Sequence, residues 1–256
     1  MPSVPILWHF PVSHFNEKVR WALDFKGIPH VRKALFLDYL PRAWWATGRP
    51  TLPILFLDRK AIGDSTRILE ALEKQYPDPP LYPRDDVARR RAEELEAFFD
   101  EELGHQIRTA ILGPMFVTDP DGVIAALSLG MGLGRVTKRV LRMVFPAFSA
   151  FYRFRHEINA ATVSAAPAKV QAALDRIQAE LQPSGYLVGD SFSVADLTAA
   201  ALFSPLVMPN ELQYHLSEPL PESLAELRNS ASTHDAFGWV AEMYRRHRGT
   251  SAEVAW

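Results

Sequence analysis

The sequence predicts two structural parts, a mixed α/β part over residues 1–78 and an all-helical part over residues 87–256. The first part contains short apolar runs that end at turn residues, and this pattern is typical of buried strands. In the second part apolar residues recur at helical spacing, and no segment there indicates a strand. Between the two lies a proline-rich linker over residues 79–86, which no continuous helix could cross.

The elements of the first part are expected in the order β-α-β-α-β-β-α. Four segments are predicted strands: Pro5–Phe10, His30–Phe36, Pro53–Leu57 and a short one around Ala61 and Ile62. A helix begins after Ser13 and ends at Gly27, because glycine commonly terminates helices. A loop or short helix holds Trp44. Asp64 and Ser65 begin the last helix, since both residue types are favoured at helix N-termini.

The second part is predicted to be a bundle of helices. A long helix is predicted from Asp85 onward, with Phe99 and Gln106 on the same face. Three more helices are predicted: one over Val170–Leu181, a nearly all-apolar helix over Val194–Leu206 and an amphipathic helix over Asp235–His247. A helix that is apolar all round must be buried on every side. We therefore expect Val194–Leu206 at the centre of the helical core.

Composition excludes several classes of protein. The chain has 256 residues and no cysteine, which excludes disulfides, thiolate metal sites and cysteine nucleophiles. Its net charge of -2 gives no indication of a nucleic-acid partner. No Lys or Arg precedes Lys18, no apolar run is long enough to span a bilayer, and no histidine pair has metalloprotease spacing. We expect a cytoplasmic protein without a metal ion.

The segment between Gly122 and His156 is unusually basic, with six Lys or Arg residues and no acid. Four of its basic residues share one helical face: Arg135, Lys138, Arg139 and Arg142. Three valines form an apolar stripe: Val136, Val140 and Val144. Pro146 is expected to kink or break this helix, and the glycine-rich stretch 130–134 is expected to be a flexible bend. The favoured interpretation is a solvated basic face on a helix whose stripe packs inward. The alternative is contact with a membrane surface or an anionic partner.

Ser13 lies where a strand gives way to a helix, and its hydroxyl can have either of two roles. As an N-cap it would accept a backbone N–H and contribute about 1 kcal/mol. Alternatively, the unpaired N–H groups and the dipole of the helix N-terminus would stabilise a bound thiolate, to which the hydroxyl donates. No Ser-His-Asp triad is evident nearby in the sequence, so Ser13 is not expected to be an acyl nucleophile.

A second group of residues suits the same kind of ligand. Pro53 stands between a loop and a strand, where a cis peptide bond would present the backbone of Leu52 to an extended, peptide-like ligand. The helix N-terminus at Asp64 and Ser65 could hold a carboxylate, and Asp64 could hold an amino group. A small zwitterionic peptide that carries a thiol fits these features, but simple helix capping explains Asp64 and Ser65 equally well.

Five motifs, taken in order, resemble the glutathione S-transferase family. They are S-x-x-x-x-x-V-R from Ser13, A-L-x-x-K-G-I from Ala22, T-L-P-I-L from Thr51, G-D-S-x-x-I from Gly63 and G-D-S-F-S-V-A-D-L from Gly189. In the last motif, Ser193 and Asp196 fit an N-capping box. Each motif is weak alone, but their order and the linker between them make the resemblance specific. It covers both parts of the chain, and Leu112–Ala160 fits it poorly.

The resemblance implies a thioredoxin-like domain followed by a helical domain, glutathione as co-substrate and a homodimer. It also implies that Ser13 activates the glutathione thiol for attack on a hydrophobic electrophile, as in detoxification. Glutathione would be held by Leu52, Pro53, Asp64, Ser65 and Arg49. The electrophile pocket would be lined by Phe10, Val12, Trp44, Phe99, Gln106 and Phe116. The resemblance is to the serine-type members, and because the chain has no cysteine, the cysteine-type members, which form mixed disulfides with glutathione, are not a model for it.

Two features depart from the family pattern. Asp64 stands where the family commonly has Glu, and Leu112–Ala160 is longer than the usual connection between the first two long helices of the helical domain. That stretch could cover the cleft, change the dimer interface or carry the basic surface. The alternative to catalysis is a non-catalytic binding module of the same architecture, because a fold does not determine a function.

Overall fold

The computed structural model describes residues 3–36, 38–129, 134–216 and 219–255, so most of the predicted bend at 130–134 lies outside the described residues. The first part is a four-stranded sheet made of β1 (Ile6–His9), β2 (Val31–Ala34), β3 (Ile54–Leu57) and β4 (Lys60–Gly63). The strand order is β2-β1-β3-β4, with β1 parallel to β2 and antiparallel to β3. Three helices accompany the sheet: α1 (His14–Phe25), α2 (Tyr39–Thr47) and α3 (Ser65–Gln75). The predicted order of elements is confirmed, and Trp44 lies in a helix.

The second part is helical throughout its named elements. They are α4 (Asp86–Phe98), α5 (Gly104–Thr118), α6 (Pro120–Leu127), α7 (Arg135–Arg155), α8 (Ala160–Glu180), α9 (Val194–Val207), α10 (Glu222–Ala231) and α11 (Asp235–His247). A single π-helical turn over Phe99–Leu103 joins α4 to α5, so the predicted long helix is interrupted where the sequence pattern gave no sign of it. The predicted domain limits at residues 78 and 87 stay a prediction.

Helix α9 is the centre of the helical core, as predicted. All of its residues except Pro205 are buried, and it packs against α1, α4, α5 and α11. At its N-terminus the predicted capping box is present. The Asp196 carboxylate accepts from the backbone N–H of Ser193 at 2.9 Å and from its hydroxyl at 2.8 Å. Because α1 of the sheet part lies directly on α9, the two parts of the chain share one hydrophobic core.

One expectation about α7 is wrong, because its predicted apolar stripe does not pack inward. The helix continues through Pro146, so the proline does not end it. The buried residues of α7 are instead Leu141, Phe145 and Ser149. The physical reason is aromatic packing, since Phe145 stacks on Phe116 of α5 with ring centroids 5.9 Å apart. Aromatic rings bury more apolar area than the valines of the stripe, so they determine which face of the helix turns inward.

The end of the chain returns to the sheet, where the sequence pattern predicts no strand. Glu253 forms an isolated parallel bridge with His30, and the N–H of Val254 donates to the His30 carbonyl at 2.9 Å. This segment therefore lies beside the start of β2, at the outer side of the sheet. Within the described ranges, no helix is both long enough and apolar enough to cross a bilayer.

Candidate functional site

The sheet brings the predicted site segments to one end. Ile54 of β3 pairs with Trp8 of β1 and with Gly63 of β4. The residues after Trp8, before Ile54 and after Gly63 therefore leave the sheet at the same end. The loop to α1, the cis peptide bond between Leu52 and Pro53, and the start of α3 all meet there. This end of the sheet is the candidate functional site.

Ser13 immediately precedes α1, and among the residues that the structure describes its hydroxyl has no hydrogen-bond partner. Its backbone is extended, with φ −81° and ψ 125°, and its side chain makes no capping hydrogen bond within the part of the chain described. Its N–H donates to the carbonyl of Phe10 at 3.1 Å, and its own carbonyl accepts from the N–H of Glu17 at 2.9 Å. The capping role that the sequence left open is not used. The hydroxyl is available to a ligand, next to the N–H groups that a first helical turn leaves unpaired.

Two buried side chains hold the loop that carries Ser13. Arg20 donates from Nη2 to the carbonyl of Pro11 at 2.9 Å and from Nη1 to that of Phe10 at 3.3 Å. The Oδ1 atom of Asn16 accepts from the N–H of Phe10 at 3.2 Å. Buried polar groups need such partners, because an unpaired one costs free energy. The position of Ser13 is thus fixed by interactions that α1 makes with its own entry loop.

A cavity of about 350 Å³ opens beside Ser13. Phe10, Val12 and Leu52, three of the predicted site residues, line it together with Ser13. Its remaining walls are largely apolar and include Leu40, Ile111, Leu112, Met115, Leu127 and Phe148. Because many of these residues lie within 112–160, the stretch that departs from the family pattern forms one wall of the cavity.

Two guanidinium groups give this cavity its charge. Arg108 of α5 and Arg155 of α7 both line it, and neither forms a salt bridge with any carboxylate of the described residues. The Nη2 atom of Arg108 lies 2.8 Å from Nδ1 of His105, and Nη2 of Arg155 donates to the carbonyl of Pro50 at 2.6 Å. The buried Arg248, by contrast, pairs with two carboxylates. The two cavity arginines therefore offer uncompensated positive charge to a ligand.

The histidines of the cavity wall are neutral near pH 7. Burial, aided by the charge of Arg108, lowers the pKa of His14 to about 3, although its Nε2 lies 2.7 Å from the carbonyl of Gly104. Burial, aided by Arg108 and Arg155, likewise lowers the pKa of His156 to about 3. A neutral imidazole adds no net charge. The positive charge at the wall thus comes from the arginines.

A second cavity, of about 280 Å³, also reaches Ser13. It is lined by more polar groups, among them Glu17, Arg20 and Tyr214, and it does not include Leu52. Of these two cavities in the described structure, the first is lined by both Ser13 and Leu52, the residue before the cis proline, and the second is not lined by Leu52. We therefore treat the first cavity as the candidate site.

The residues predicted to hold a peptide-like ligand lie close together in the fold. Ile54 pairs with Gly63, so Pro53 and Asp64 are neighbours at the end of the β3–β4 pair. Asp64 has a φ of 79°, which is uncommon for a non-glycine residue and is often found at binding sites. Its Oδ1 caps α3 by accepting from the N–H of Thr66 at 3.1 Å. Asp64 thus serves as a cap, and Ser65 behind it is buried.

Eight predicted site residues do not line the cavity: Arg49, Pro53, Asp64, Ser65, Trp44, Phe99, Gln106 and Phe116. Arg49 is exposed, Trp44 is 62% exposed on α2, and Phe99 is completely buried in the core. Phe116 stands behind the wall, where its ring lies 5.1 Å from that of Tyr152, which does line the cavity. The predicted pocket is therefore corrected at Trp44, Phe99, Gln106 and Phe116, whereas the glutathione-binding roles of the other four residues stay predictions.

The π-helical turn over Phe99–Leu103 explains why Phe99 and Gln106 do not both face the cavity. A π turn inserts one extra residue into a helix and so rotates the residues on either side relative to each other. The prediction assumed one continuous helix with Phe99 and Gln106 on the same face. In the structure α5 presents Arg108 and Ile111 to the cavity.

Sequence reasoning missed several residues of this site. His14 and Asn16 follow Ser13 directly, and Arg20 belongs to the first family motif, so proximity to Ser13 was the signal that could have found them. Arg155 was visible only as one member of a basic segment. For Arg108 the sequence held no signal, because its place in the cavity depends on how α5 packs.

No group of three or more His, Asp or Glu side chains that could hold a metal ion occurs in the described ranges.

Family models provide the first comparison with known proteins. The model of the glutathione S-transferase N-terminal domain matches residues 7–80, and the model of its C-terminal domain matches residues 140–225. The two matches together cover more than half of the chain.

Individual relatives match shorter stretches. A maleylpyruvate isomerase from Ralstonia sp. is 35% identical over 95 residues, which are 36% of this chain and 45% of the relative. A probable maleylacetoacetate isomerase from Caenorhabditis elegans is 29% identical over 91 residues, which are 34% and 42% of the two chains. In both cases the match spans less than half the length of the curated relative.

A solved structure extends the likeness to nearly the whole fold. It is a glutathione S-transferase from Methylobacterium radiotolerans in complex with glutathione sulfonate, and its TM-score is 0.56. It is 20% identical to this chain, and the match covers 92% of this chain and 93% of the other. At this identity the likeness is one of fold.

Proposed function

This chain belongs to the glutathione S-transferase family, and we propose that it is a glutathione-dependent transferase in which Ser13 stabilises the thiolate of glutathione. The observation that carries the proposal is that Ser13, whose hydroxyl does not cap α1, lines a largely apolar cavity together with Leu52. A hydroxyl at the N-terminus of a helix is well placed to donate to an anion, because the adjacent N–H groups and the helix dipole stabilise negative charge there.

Binding would use the end of the sheet. The backbone of Leu52 would pair with the cysteinyl unit of glutathione, and Asp64 and Ser65 at the start of α3 would hold its γ-glutamyl end. The Oδ1 atom of Asp64 already caps α3, so the amino group would be left to Oδ2. Arg49 is exposed and so is the weakest member of the set.

In the proposed reaction the protein contributes one step, the stabilisation of the glutathione thiolate. The glutathione S–H bond loses its proton to solvent, and the hydroxyl of Ser13 donates a hydrogen bond to the resulting thiolate. A charge-assisted hydrogen bond of this kind contributes about 1.5–3 kcal/mol, which lowers the thiol pKa by about 1 to 2. The thiolate then forms a C–S bond with an electrophile in the apolar cavity, and the leaving group departs with the electron pair of the bond that breaks.

The charged wall of the cavity favours a second candidate, isomerisation of an unsaturated carboxylic acid. Arg108 and Arg155 lack carboxylate partners in the described residues and face a cavity whose other walls are largely apolar. They would hold the carboxylates of the acid while the thiolate adds to its double bond. Rotation about the resulting single bond and loss of the thiolate would give the other isomer and regenerate glutathione. Two relatives are named as isomerases of this kind.

Two assays test the main proposal together. The chain is passed over immobilised glutathione, and its turnover of glutathione with an activated aryl chloride is measured. We expect retention and turnover, with turnover reduced in Ser13→Ala and unchanged in Ser230→Ala, an exposed serine on α10. Retention without turnover would instead support the non-catalytic binding module. Loss of both would overturn the proposal. Size-exclusion chromatography of the same samples tests the expected homodimer.

A separate comparison of substrates tests the isomerase candidate. Arg155→Gln should raise KM about ten-fold or more for a cis-unsaturated dicarboxylic acid, because one charge-assisted contact is lost, and leave KM for a neutral aryl chloride unchanged. Arg153→Gln is the matched control, since it lies on the same helix and does not line the cavity. Equal effects of Arg155→Gln on both substrates would contradict a role in binding carboxylates.

A further inference from the structure

Helix α7 presents an apolar face to solvent. We call it the outer apolar face; its members are Val136, Val140, Met143, Val144, Phe151 and Phe154. Val136 is 78% exposed, Met143 75% and Phe154 86%. Large apolar side chains rarely gather on a solvated surface unless that surface binds something. The helix therefore has two apolar sides, one packed on the cavity wall and one without a partner in the described chain.

A row of cations borders this face. Arg135, Lys138, Arg139 and Arg142 recur at helical spacing along the N-terminal half of α7. Arg142 lies 3.1 Å from the carboxylate of Asp121, but both side chains are largely exposed, and such pairs contribute little. The other three have no salt-bridge partner in the ranges that the structure describes. The stretch 122–156 contains no acid at all, although the whole chain has a net charge of -2.

This arrangement argues against a second copy of the chain as the partner. A symmetric dimer through α7 would place the same patch on both sides of the interface, so cations would face cations. Like charges brought together in this way cost several kcal/mol. A partner must instead combine an apolar interior with a negatively charged surface next to it.

We propose that α7 docks flat on the surface of an anionic lipid bilayer. The outer apolar face would enter the boundary between headgroups and acyl chains, and the four basic residues would lie at the level of the lipid phosphates. Interfacial helices bind in this way, through buried apolar area together with attraction to anionic lipids. The positive charge of the acid-free stretch 122–156 is attracted to an anionic membrane surface. The rest of the chain has a net negative charge and is repelled by that surface, so the molecule would orient with α7 facing the membrane.

Docking would bring the cavity close to the membrane. Phe151 belongs to the outer apolar face and also lines the cavity beside Ser13. An apolar compound dissolved in the bilayer would then enter the cavity past Phe151 without crossing water. The docking itself does not depend on the proposed transferase activity, so the two proposals can fail separately.

The test is co-sedimentation of the full chain with vesicles. One set is neutral phosphatidylcholine, and the other contains about one third anionic phosphatidylglycerol. We expect binding to the anionic vesicles at low salt and its loss at high salt, since salt screens the attraction. Lys138→Glu combined with Arg139→Glu should lower the partition coefficient at least about ten-fold, because two attractive charges are replaced by two that the anionic surface repels.

A second variant and two controls complete the design. Met143→Ser combined with Phe154→Ser removes apolar area from the outer face and should also abolish binding, while the thermal unfolding midpoint stays unchanged because both side chains are exposed. Arg90→Glu and Val87→Ser change exposed residues of α4 and should bind as the wild type does. The proposal is overturned by absence of sedimentation at low salt. It is also overturned if the α7 variants bind normally, or if they abolish a dimer seen by analytical ultracentrifugation without changing vesicle binding.

Discussion

Arg248, near the end of the chain, donates from Nε to Oε1 of Glu17 in the first helix at 2.7 Å, and both side chains are buried. The same guanidinium donates from Nη1 to Oδ2 of Asp24 at 2.8 Å. Glu17 also pairs with Arg20, whose other N–H groups hold the loop before Ser13. A buried charge network thus ties the last residues of the chain to the loop at the candidate site.

Arg248→Gln should destabilise the protein strongly. Removing one partner of a buried ion pair typically costs about 3–5 kcal/mol. Here Glu17 would keep only Arg20 and Asp24 only Arg32 as a cationic partner, so part of their buried charge would be left unbalanced. Urea unfolding followed by circular dichroism measures the change. Arg245→Gln is the matched control, because Arg245 is exposed and pairs with Glu242 at the surface. If Arg248→Gln and the control unfold at the same urea concentration, the network contributes little.

The same network predicts how stability depends on pH. Burial alone would raise the pKa of Glu17, but Arg248 and Arg20 outweigh burial and lower it below 4.5. Burial of Asp24 is likewise outweighed by Arg32 and Arg248, which lower its pKa below 3.8. A carboxyl with a lowered pKa in the folded state binds protons more weakly there than in the unfolded state. Its contribution is therefore complete above the ordinary carboxyl range and is lost as pH falls through that range and below.

We expect the free energy of unfolding to fall as pH is lowered from about 5 towards 2. The decline should be shallower in Arg248→Gln, since the pKa values of Glu17 and Asp24 then return towards their ordinary range. Urea titrations at several pH values provide the comparison. An acid decline that is equally steep in both proteins would mean that other carboxyls account for it.

Ser13→Ala should lower activity and spare the fold. Without the hydroxyl, the pKa of the bound glutathione thiol should rise by about 1 to 2, so the pH profile of kcat/KM moves to higher pH. Stability should change little because the hydroxyl caps nothing in the described structure. Ser13→Thr keeps a hydroxyl and should retain part of the activity. An unshifted pH profile in Ser13→Ala would remove Ser13 from the proposed mechanism.

Gly104 and Gly238 form a matched pair of helical glycines. A Cβ on Gly104 would overlap the ring of Phe15, whereas a Cβ on Gly238 would meet nothing within 4 Å. Gly104→Ala should therefore destabilise by about 1–3 kcal/mol through overpacking. Gly238→Ala should stabilise by up to about 1 kcal/mol, because alanine is the better helix former.

Gly104→Ala should also disturb the site, since the carbonyl of Gly104 lies 2.7 Å from Nε2 of His14, next to Ser13. Turnover of the folded variant should fall, while Gly238→Ala should keep wild-type turnover. Thermal unfolding and the aryl chloride assay report the two effects separately. Equal stability of the two variants would show that Phe15 moves aside at little cost.

Sequence and structure agree most closely where the determining contacts are local. The position of Ser13 before a helix and the capping box of Ser193 and Asp196 were both predicted correctly. Each feature depends only on residues within one helical turn. The order of the strands and helices of the first part follows from periodicity and turn residues in the same way. The burial of Val194–Leu206 follows from the lack of any polar face.

The disagreements concern which face of a helix turns inward. The sequence pattern predicts that the valine stripe of α7 is buried. In the structure Phe145 of α7 packs against Phe116 of α5 instead, and the stripe is exposed to solvent. Phe99 and Gln106 were expected at the cavity, but a π turn rotated the helix that carries them. Neither outcome depends on the helix alone, so neither could be predicted from its pattern.

The sequence by itself determined that this protein has no cysteine, that a serine stands at the N-terminus of its first helix, and that any reacting sulfur must come with a ligand. Only the tertiary structure decided that Arg108 and Arg155 meet at one cavity and that Arg248 closes a charge network with Glu17. The reason is physical. Local backbone preferences act over a few residues, whereas the partner of a charged side chain 231 positions away is chosen by how the whole core packs.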